Sequence, residues 1–184
     1  KKISDKSIIE LIENYIYGVD ILEYSIRRAK IMLSLFAICN NEDKSDIKFN
    51  LEVANSLEID WNNFFSKIFI KNGGFDYVIG NPPYVRIQDL DKKSREVLMK
   101  NWKTISIGSY NLYFTFFELG MQILNNRGKL GYITPNNYFT SLSGIDLREY
   151  FSKHKQNTRI LNFNHLKLFG NAQTYTCITF MQKD

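Results

Sequence analysis

The sequence predicts an α/β domain with a doubly wound, mostly parallel sheet, and three observations carry that prediction. Strand-like runs alternate with amphipathic helical runs until the last two strands, which follow one another directly. Three strand ends carry polar punctuation, at Asp20, at Asn55 and Ser56, and at Asn81; in open α/β sheets ligands sit beyond such carboxyl ends. Apolar residues make up 44% and aromatic residues 15% of the 184, ample for a packed core.

Taken in order, "SIIELIENYI" reads as a short helix, with Ser7 and Glu10 in capping-box spacing and Ile8, Leu11 and Ile12 forming an apolar stripe. "YIYGVDI" is a strand ending in an acid, followed by the helix "EYSIRRAKIMLSLFAI" and the polar loop "CNNEDKSD". "IKFNLEVANSL" is the next strand, and "WNNFFSKIFIKNGG" a short helix or turn stopped by Gly73 and Gly74. The strand "FDYVIGN" precedes a charged stretch, after which "SYNLYFTFFELGMQILNN" predicts the longest helix, closed at Arg127 and Gly128. "KLGYITP" is a strand ended by Pro135, "GIDLREYFSKH" a helix, and "RILNFNH" and "YTCITFMQK" are the final strands. No repeat, low-complexity tract or linker interrupts the chain, which reads as one unit.

Composition narrows the function classes. The N-terminal stretch is charged and amphipathic, unlike a signal peptide, and no segment approaches 18 uncharged apolar residues, so no membrane partner is expected. Cys39 and Cys177 lie in apolar runs and read as buried thiols of a reducing compartment. The 2 histidines show no ligand spacing with cysteine, so no metal site is expected. A net charge of +5 is compatible with a polyanionic partner. Arg27, Arg28 and Lys30, then Lys92, Lys93 and Arg95, then Lys153 and Lys155 form short basic groups.

The chemistry concentrates in "FDYVIGNPPYVR". Of 3 prolines, Pro82 and Pro83 stand together behind Asn81. Proline lacks an N–H and drives its predecessor toward extended backbone, so the turn is a stiff rim offering the Asn81 side-chain oxygen and the Pro82 carbonyl as acceptors. An NH2 group donating to both would be held by its two protons, with its lone pair tilted out of conjugation. Tyr84 adds a flat face for an aromatic ring. Such a site suits a planar NH2 acting as nucleophile.

"DYVIGNPPY" resembles the catalytic motif of amino-group methyltransferases dependent on S-adenosylmethionine. The longer text is similar to the N6-adenine DNA methyltransferases of bacterial restriction–modification systems, above all those carrying restriction and modification on one polypeptide. The resemblance implies a Rossmann-like fold and S-adenosylmethionine as cofactor. It implies double-stranded DNA as partner, a cytoplasmic bacterial setting, and a fused or associated nuclease and target-recognition domain. "YGVDILEYSIRRAKIMLSL" is similar to the segment whose acid binds the cofactor ribose, which implies Asp20 for that role and Ile21 against the adenine ring. "LEVANSL" resembles the segment that accepts from the adenine amine, which implies Asn55 with the backbone of Ser56 or Leu57; many relatives carry Asp there. Asn81 and Pro82 would accept the amine protons of the target base, Pro83 would hold the loop, and Tyr84 and Phe169 would stack on the extruded base. The aromatics Tyr113, Phe114, Phe116 and Phe117 are expected in the core, and Lys92, Lys93 and Arg95 lie where a DNA phosphate strand would pass.

The resemblance divides the chain into a cofactor part at about 15–60, a catalytic loop at about 75–90 and a target-base side at about 105–184. It departs from the family in one respect: the glycine-rich first motif is absent, no Gly-x-Gly occurs, and the first glycine is Gly18. The expectation is a catalytic domain incomplete at its N-terminus, which alone binds cofactor weakly or not at all and is inactive. Two alternatives remain open. One is a methyltransferase acting on a release-factor glutamine or an RNA base, which presents the same planar NH2; the other is a non-catalytic DNA-binding relic.

Overall fold

The computed structural model describes residues 6–105, 110–153, 158–164 and 175–183. Although no linker marks the sequence, the chain forms two compact units, Lys1–Asp60 and Trp61–Asp184.

The first unit runs α1 (Ile8–Tyr15), β1 (Tyr17–Asp20), α2 (Glu23–Cys39) and β2 (Asn50–Val53). Ser7 caps α1 by accepting the Glu10 N–H at 3.0 Å. β1 and β2 pair in parallel, with Gly18 opposite Leu51 and Asp20 opposite Val53. A Cβ at Gly18 would lie 2.8 Å from a Leu51 methyl, so the glycine permits this close approach. Ile12, Ile26, Ala37 and Leu51 form the buried centre.

The second unit contains α3 (Trp61–Phe64), α4 (Ser66–Asn72), β3 (Phe75–Gly80), α5 (Lys92–Asn101), α6 (Tyr113–Ile123), β4 (Leu124–Pro135), α7 (Ile145–Lys153), β5 (Arg159–Asn162) and β6 (Thr176–Gln182). Its four strands are ordered β3-β4-β6-β5. β3 and β4 are parallel, whereas β6 runs antiparallel to both β4 and β5. The sheet is therefore mixed, with one parallel and two antiparallel pairings. Tyr113, Phe114, Phe117, Leu130, Tyr132, Tyr138 and Leu147 are buried, so the aromatic content goes into this core. Phe116 is half-buried.

Several elements differ from expectation. The apolar helix stops at Ile123, and the strand expected from Lys129 begins at Leu124, so Asn126, Arg127 and Gly128 lie inside β4. Lys183 explains that early stop: its ammonium donates to the Leu124 carbonyl at 2.6 Å and the Gln122 carbonyl at 3.3 Å, satisfying the helix end. The longest helix is therefore α2, with 17 residues. The charged stretch "KKSREVLMKN" is helical as α5, capped by Asp91, whose carboxylate accepts the Ser94 N–H at 3.0 Å. Cys177 is buried as expected, but Cys39 is exposed. Its apolar neighbours Leu35, Phe36 and Ile38 are exposed with it, so an apolar run around a thiol did not signal burial.

Candidate active site

Parallel pairing places the two cofactor candidates of the first unit at one sheet end. Asp20 closes β1 opposite Val53, and Asn55 follows two residues beyond that partner. The Ala54 N–H donates to the Asp20 carbonyl at 3.0 Å, extending the ladder past the strand. One Asp20 carboxylate oxygen accepts the Leu22 N–H at 2.8 Å, folding the chain toward α2; the other accepts no hydrogen bond among the described residues. Ile21 is 64% exposed and offers an apolar surface beside that carboxylate. Asn55 accepts the Leu57 N–H at 3.1 Å and donates to Glu58 at 2.8 Å. Its oxygen retains a second lone pair, while Ser56 and Leu57 are half-buried in the turn it makes. A carboxylate, an amide oxygen and an apolar side chain at adjoining strand ends fit an adenosine group, which presents a diol, an amine and a flat ring.

In the second unit the NPPY turn leaves β3 directly, Gly80 being the last residue paired with β4. The chain beyond the turn is tied back: Leu112 N–H donates to the Val85 carbonyl and Ile87 N–H to the Tyr110 carbonyl, each at 2.8 Å. Pro82 is buried and Asn81 exposed. The Pro82 carbonyl accepts no hydrogen bond among the described residues. The Asn81 oxygen does have a partner: the Tyr84 hydroxyl donates to it at 2.7 Å and lies 3.2 Å from the Ile133 carbonyl. Asn81 thus holds one of its two acceptor positions against the protein, a contact the sequence reading did not include.

Tyr84 is 36% exposed, and its ring meets Tyr113 in an edge arrangement at 6.2 Å and 79°. Burial first, and the neighbouring Cys177 second, push its phenol above the ordinary value, so it remains a donor at neutral pH. Behind it lies a polar cluster that the sequence reading passed over as core. Tyr113 donates to Asn137 at 2.8 Å, Tyr138 and Thr179 hydroxyls meet at 2.8 Å, and Cys177 sulfur sits 3.8 Å from Thr134 and Thr179 hydroxyls. Burial raises the phenols of Tyr113 and Tyr138 as well. The polar text "TPNNYF" after a buried strand was the available signal.

Lys92 and Lys93 are exposed in the first turn of α5. Arg95 differs: it is half-exposed, and its Nε is buried without a partner among the described residues. Phe169 lies outside the described residues. Among the described residues no group of His, Cys, Asp and Glu could hold a metal ion, and no helix is long and apolar enough to cross a membrane.

The sequence matches the model of the Eco57I restriction-modification methylase family over residues 14–169. The chain belongs to that family. It is 26% identical over 197 residues to the type II restriction enzyme and methyltransferase RM.Eco57I of Escherichia coli, covering 95% of this chain but 19% of that protein. It is 29% identical over 134 residues to the type II methyltransferase M.HincII of Haemophilus influenzae, covering 67% of this chain and 26% of the relative. The chain therefore spans about a fifth to a quarter of the length of these relatives.

Solved structures agree on the fold. A nuclease-deletion mutant of the type ISP restriction-modification enzyme LlaGI, in complex with a DNA substrate mimic, superposes with a TM-score of 0.73 at 19% identity, over 95% of this chain and 18% of that one. A class I S-adenosylmethionine-dependent methyltransferase from Listeria monocytogenes gives 0.60 at 19% identity, over 92% and 44%. The chain shares its fold with that methyltransferase and with the LlaGI enzyme.

Proposed function

We propose that this chain is catalytic machinery of a DNA methyltransferase that methylates the N6 amine of an adenine rotated out of the duplex, as part of a bacterial, cytoplasmic restriction–modification enzyme. The observation that carries the reading is the NPPY turn at the carboxyl end of β3, with Asn81 exposed and the Pro82 carbonyl unengaged among the described residues, in a member of this family. Relatives named as both restriction enzyme and methyltransferase support a fused or associated nuclease and recognition region.

Asp20 would hold the ribose hydroxyls of S-adenosylmethionine, Ile21 and the backbone of Ser56 and Leu57 would line its adenine ring, and Asn55 would accept its amine. When bound, this cofactor supplies an electrophilic sulfonium methyl. The work left to the protein is orientation. Asn81 and the Pro82 carbonyl would each accept a hydrogen bond from the target NH2, which tilts its lone pair out of conjugation with the ring and aims it. Pro83 keeps the turn rigid. An exocyclic amine cannot be reached inside a duplex, and rotating its base out costs a few kcal/mol. Stacking on Tyr84 and Phe169 would offset about 1–3 kcal/mol per contact.

The test is methyl transfer by the natural polypeptide from tritium-labelled cofactor, offered duplex DNA, RNA and a release factor in parallel. Label on the adenine N6 of DNA supports the reading, and label on RNA or the release factor alone rejects it. Asn81→Ala should lower the transfer rate by at least about a hundredfold while changing DNA affinity little. Equal losses in rate and affinity would remove Asn81 from the chemistry.

A further inference from the structure

The polarity of Asn81 is the wrong way round for its proposed task. Its oxygen is turned to the Tyr84 hydroxyl at 2.7 Å, so in this exposed side chain the NH2 end faces away from the protein contact. An outward NH2 is a donor, and an incoming amine needs an acceptor. The remedy lies in the same contact. The Tyr84 hydroxyl is also 3.2 Å from the Ile133 carbonyl, and a phenol has one proton together with lone pairs to accept. It can donate to Asn81, as observed. It can equally donate to Ile133 and accept from the Asn81 NH2. In the second arrangement the amide has turned half a revolution about its last bond and its oxygen faces outward. Neither arrangement strands the phenol or the amide without a partner, so the exchange avoids the penalty of an unpaired polar group.

The ring is placed to serve both acceptors. Tyr84 rests against Tyr113, itself fully buried and anchored through its hydroxyl to Asn137 at 2.8 Å. The Ile133 carbonyl belongs to β4, one residue past Tyr132, the last partner of β3. Both acceptors therefore stand one residue past the last β3–β4 pair, Asn81 just beyond β3 and Ile133 within β4, and only the phenolic proton and the amide need move.

We propose that the Tyr84 hydroxyl is a positioning group that sets which end of the Asn81 amide faces the substrate, its proton swinging from Asn81 to the Ile133 carbonyl as the amide oxygen turns outward to accept an amine. No covalent bond forms or breaks, and the proton stays on the phenol oxygen throughout. The proposal rests on Asn81 being the acceptor of the substrate amine, and it adds to the ring of Tyr84 a separate duty for its oxygen.

The experiment is single-turnover methyl transfer to duplex DNA by the natural polypeptide, with DNA affinity measured alongside. Tyr84→Phe keeps the ring and removes the hydroxyl. It should slow the single-turnover rate about tenfold while leaving DNA affinity within about twofold. Asn81→Asp presents an oxygen on both sides, so nothing has to turn. In that background Tyr84→Phe should cost less than about twofold. Tyr84→p-aminophenylalanine supplies two protons, serves both acceptors at once and holds the amide as it stands; it too should be slow.

A wild-type rate for Tyr84→Phe, a wild-type rate for Tyr84→p-aminophenylalanine, or an equal loss on Tyr84→Phe in both Asn81 backgrounds would overturn the proposal. Asn81→Ala tells the two levels apart. If it abolishes transfer while Tyr84→Phe does not slow it, only the role of the hydroxyl fails. If Asn81→Ala transfers at the wild-type rate, the underlying reading fails.

Discussion

Glu42 lies in a polar loop, yet its carboxylate accepts the Ile8 N–H at 2.7 Å and the Ile9 N–H at 3.0 Å, completing the cap of α1 from across the first unit. These backbone bonds favour the ionised form and hold its carboxyl below the ordinary glutamate value, against a smaller opposing effect of burial. The sign follows. A depressed folded value contributes stability that is complete above the unfolded value and is lost as pH falls through the folded one. Amide resonances of Ile8 and Ile9 should therefore titrate together at a pH below the unfolded glutamate range, and Glu42→Gln should abolish that titration. A midpoint at or above the ordinary glutamate value would contradict this. Here sequence reading stopped short, since capping-box spacing announced Ser7 while nothing local announces a cap reaching back from residue 42. The same holds at Asn81: two prolines reveal a stiff rim, but not that its oxygen accepts from Tyr84, whose hydroxyl also reaches a carbonyl 49 positions further along the chain from it.

At the scale of elements, the periodic apolar helices and strands were legible because each buries one face or stripe. α5 was not, because none of its residues is buried and its helix rests on a capping aspartate and side-chain pairs. Lys92 and Glu96 stand 3.9 Å apart and are both largely exposed, an arrangement worth little to stability. Two lysines in a first turn sit at the end where the helix dipole already carries positive character, a placement that does not favour folding. It does favour a phosphate. If α5 lies along DNA, the double variant Lys92→Glu, Lys93→Glu should weaken DNA binding and flatten the logarithmic salt slope by about one to two units, since each phosphate contact contributes about 0.9. An unchanged slope would return both lysines to the solvated surface. Arg95 is left out of that test because its Nε is buried, unlike the exposed side chains of Lys92 and Lys93. The boundary between α6 and β4 was misplaced for a related reason. The residues there read as helix by apolar content, and the cation that ends the helix, Lys183, sits 59 positions away.

At the scale of the whole molecule, alternation of strand and helix announced the α/β class, while the division into two units left no mark such as a linker. The units differ in how they are held. The second surrounds a four-stranded sheet with buried Tyr113, Phe114, Phe117, Leu130, Tyr138 and Leu147. The first has a two-stranded sheet, and α2 buries only Ile26 and Ala37 while Tyr24, Ile31, Met32, Leu35, Phe36 and Ile38 stay exposed. A two-stranded ladder is marginal by itself, and each buried aliphatic or aromatic side chain adds about 1.5–3 kcal/mol. Local opening should therefore be easier in the first unit. Native-state hydrogen exchange on this 184-residue chain should give β1 and β2 amides opening free energies well below those of β4 and β6. In the natural polypeptide S-adenosylmethionine, if Asp20 and Asn55 hold it, should slow exchange in β1 and β2 first, because a ligand stabilises the unit that binds it. Equal protection of both units would show that they open as one, and cofactor protection confined to the second unit would take Asp20 and Asn55 out of the binding site.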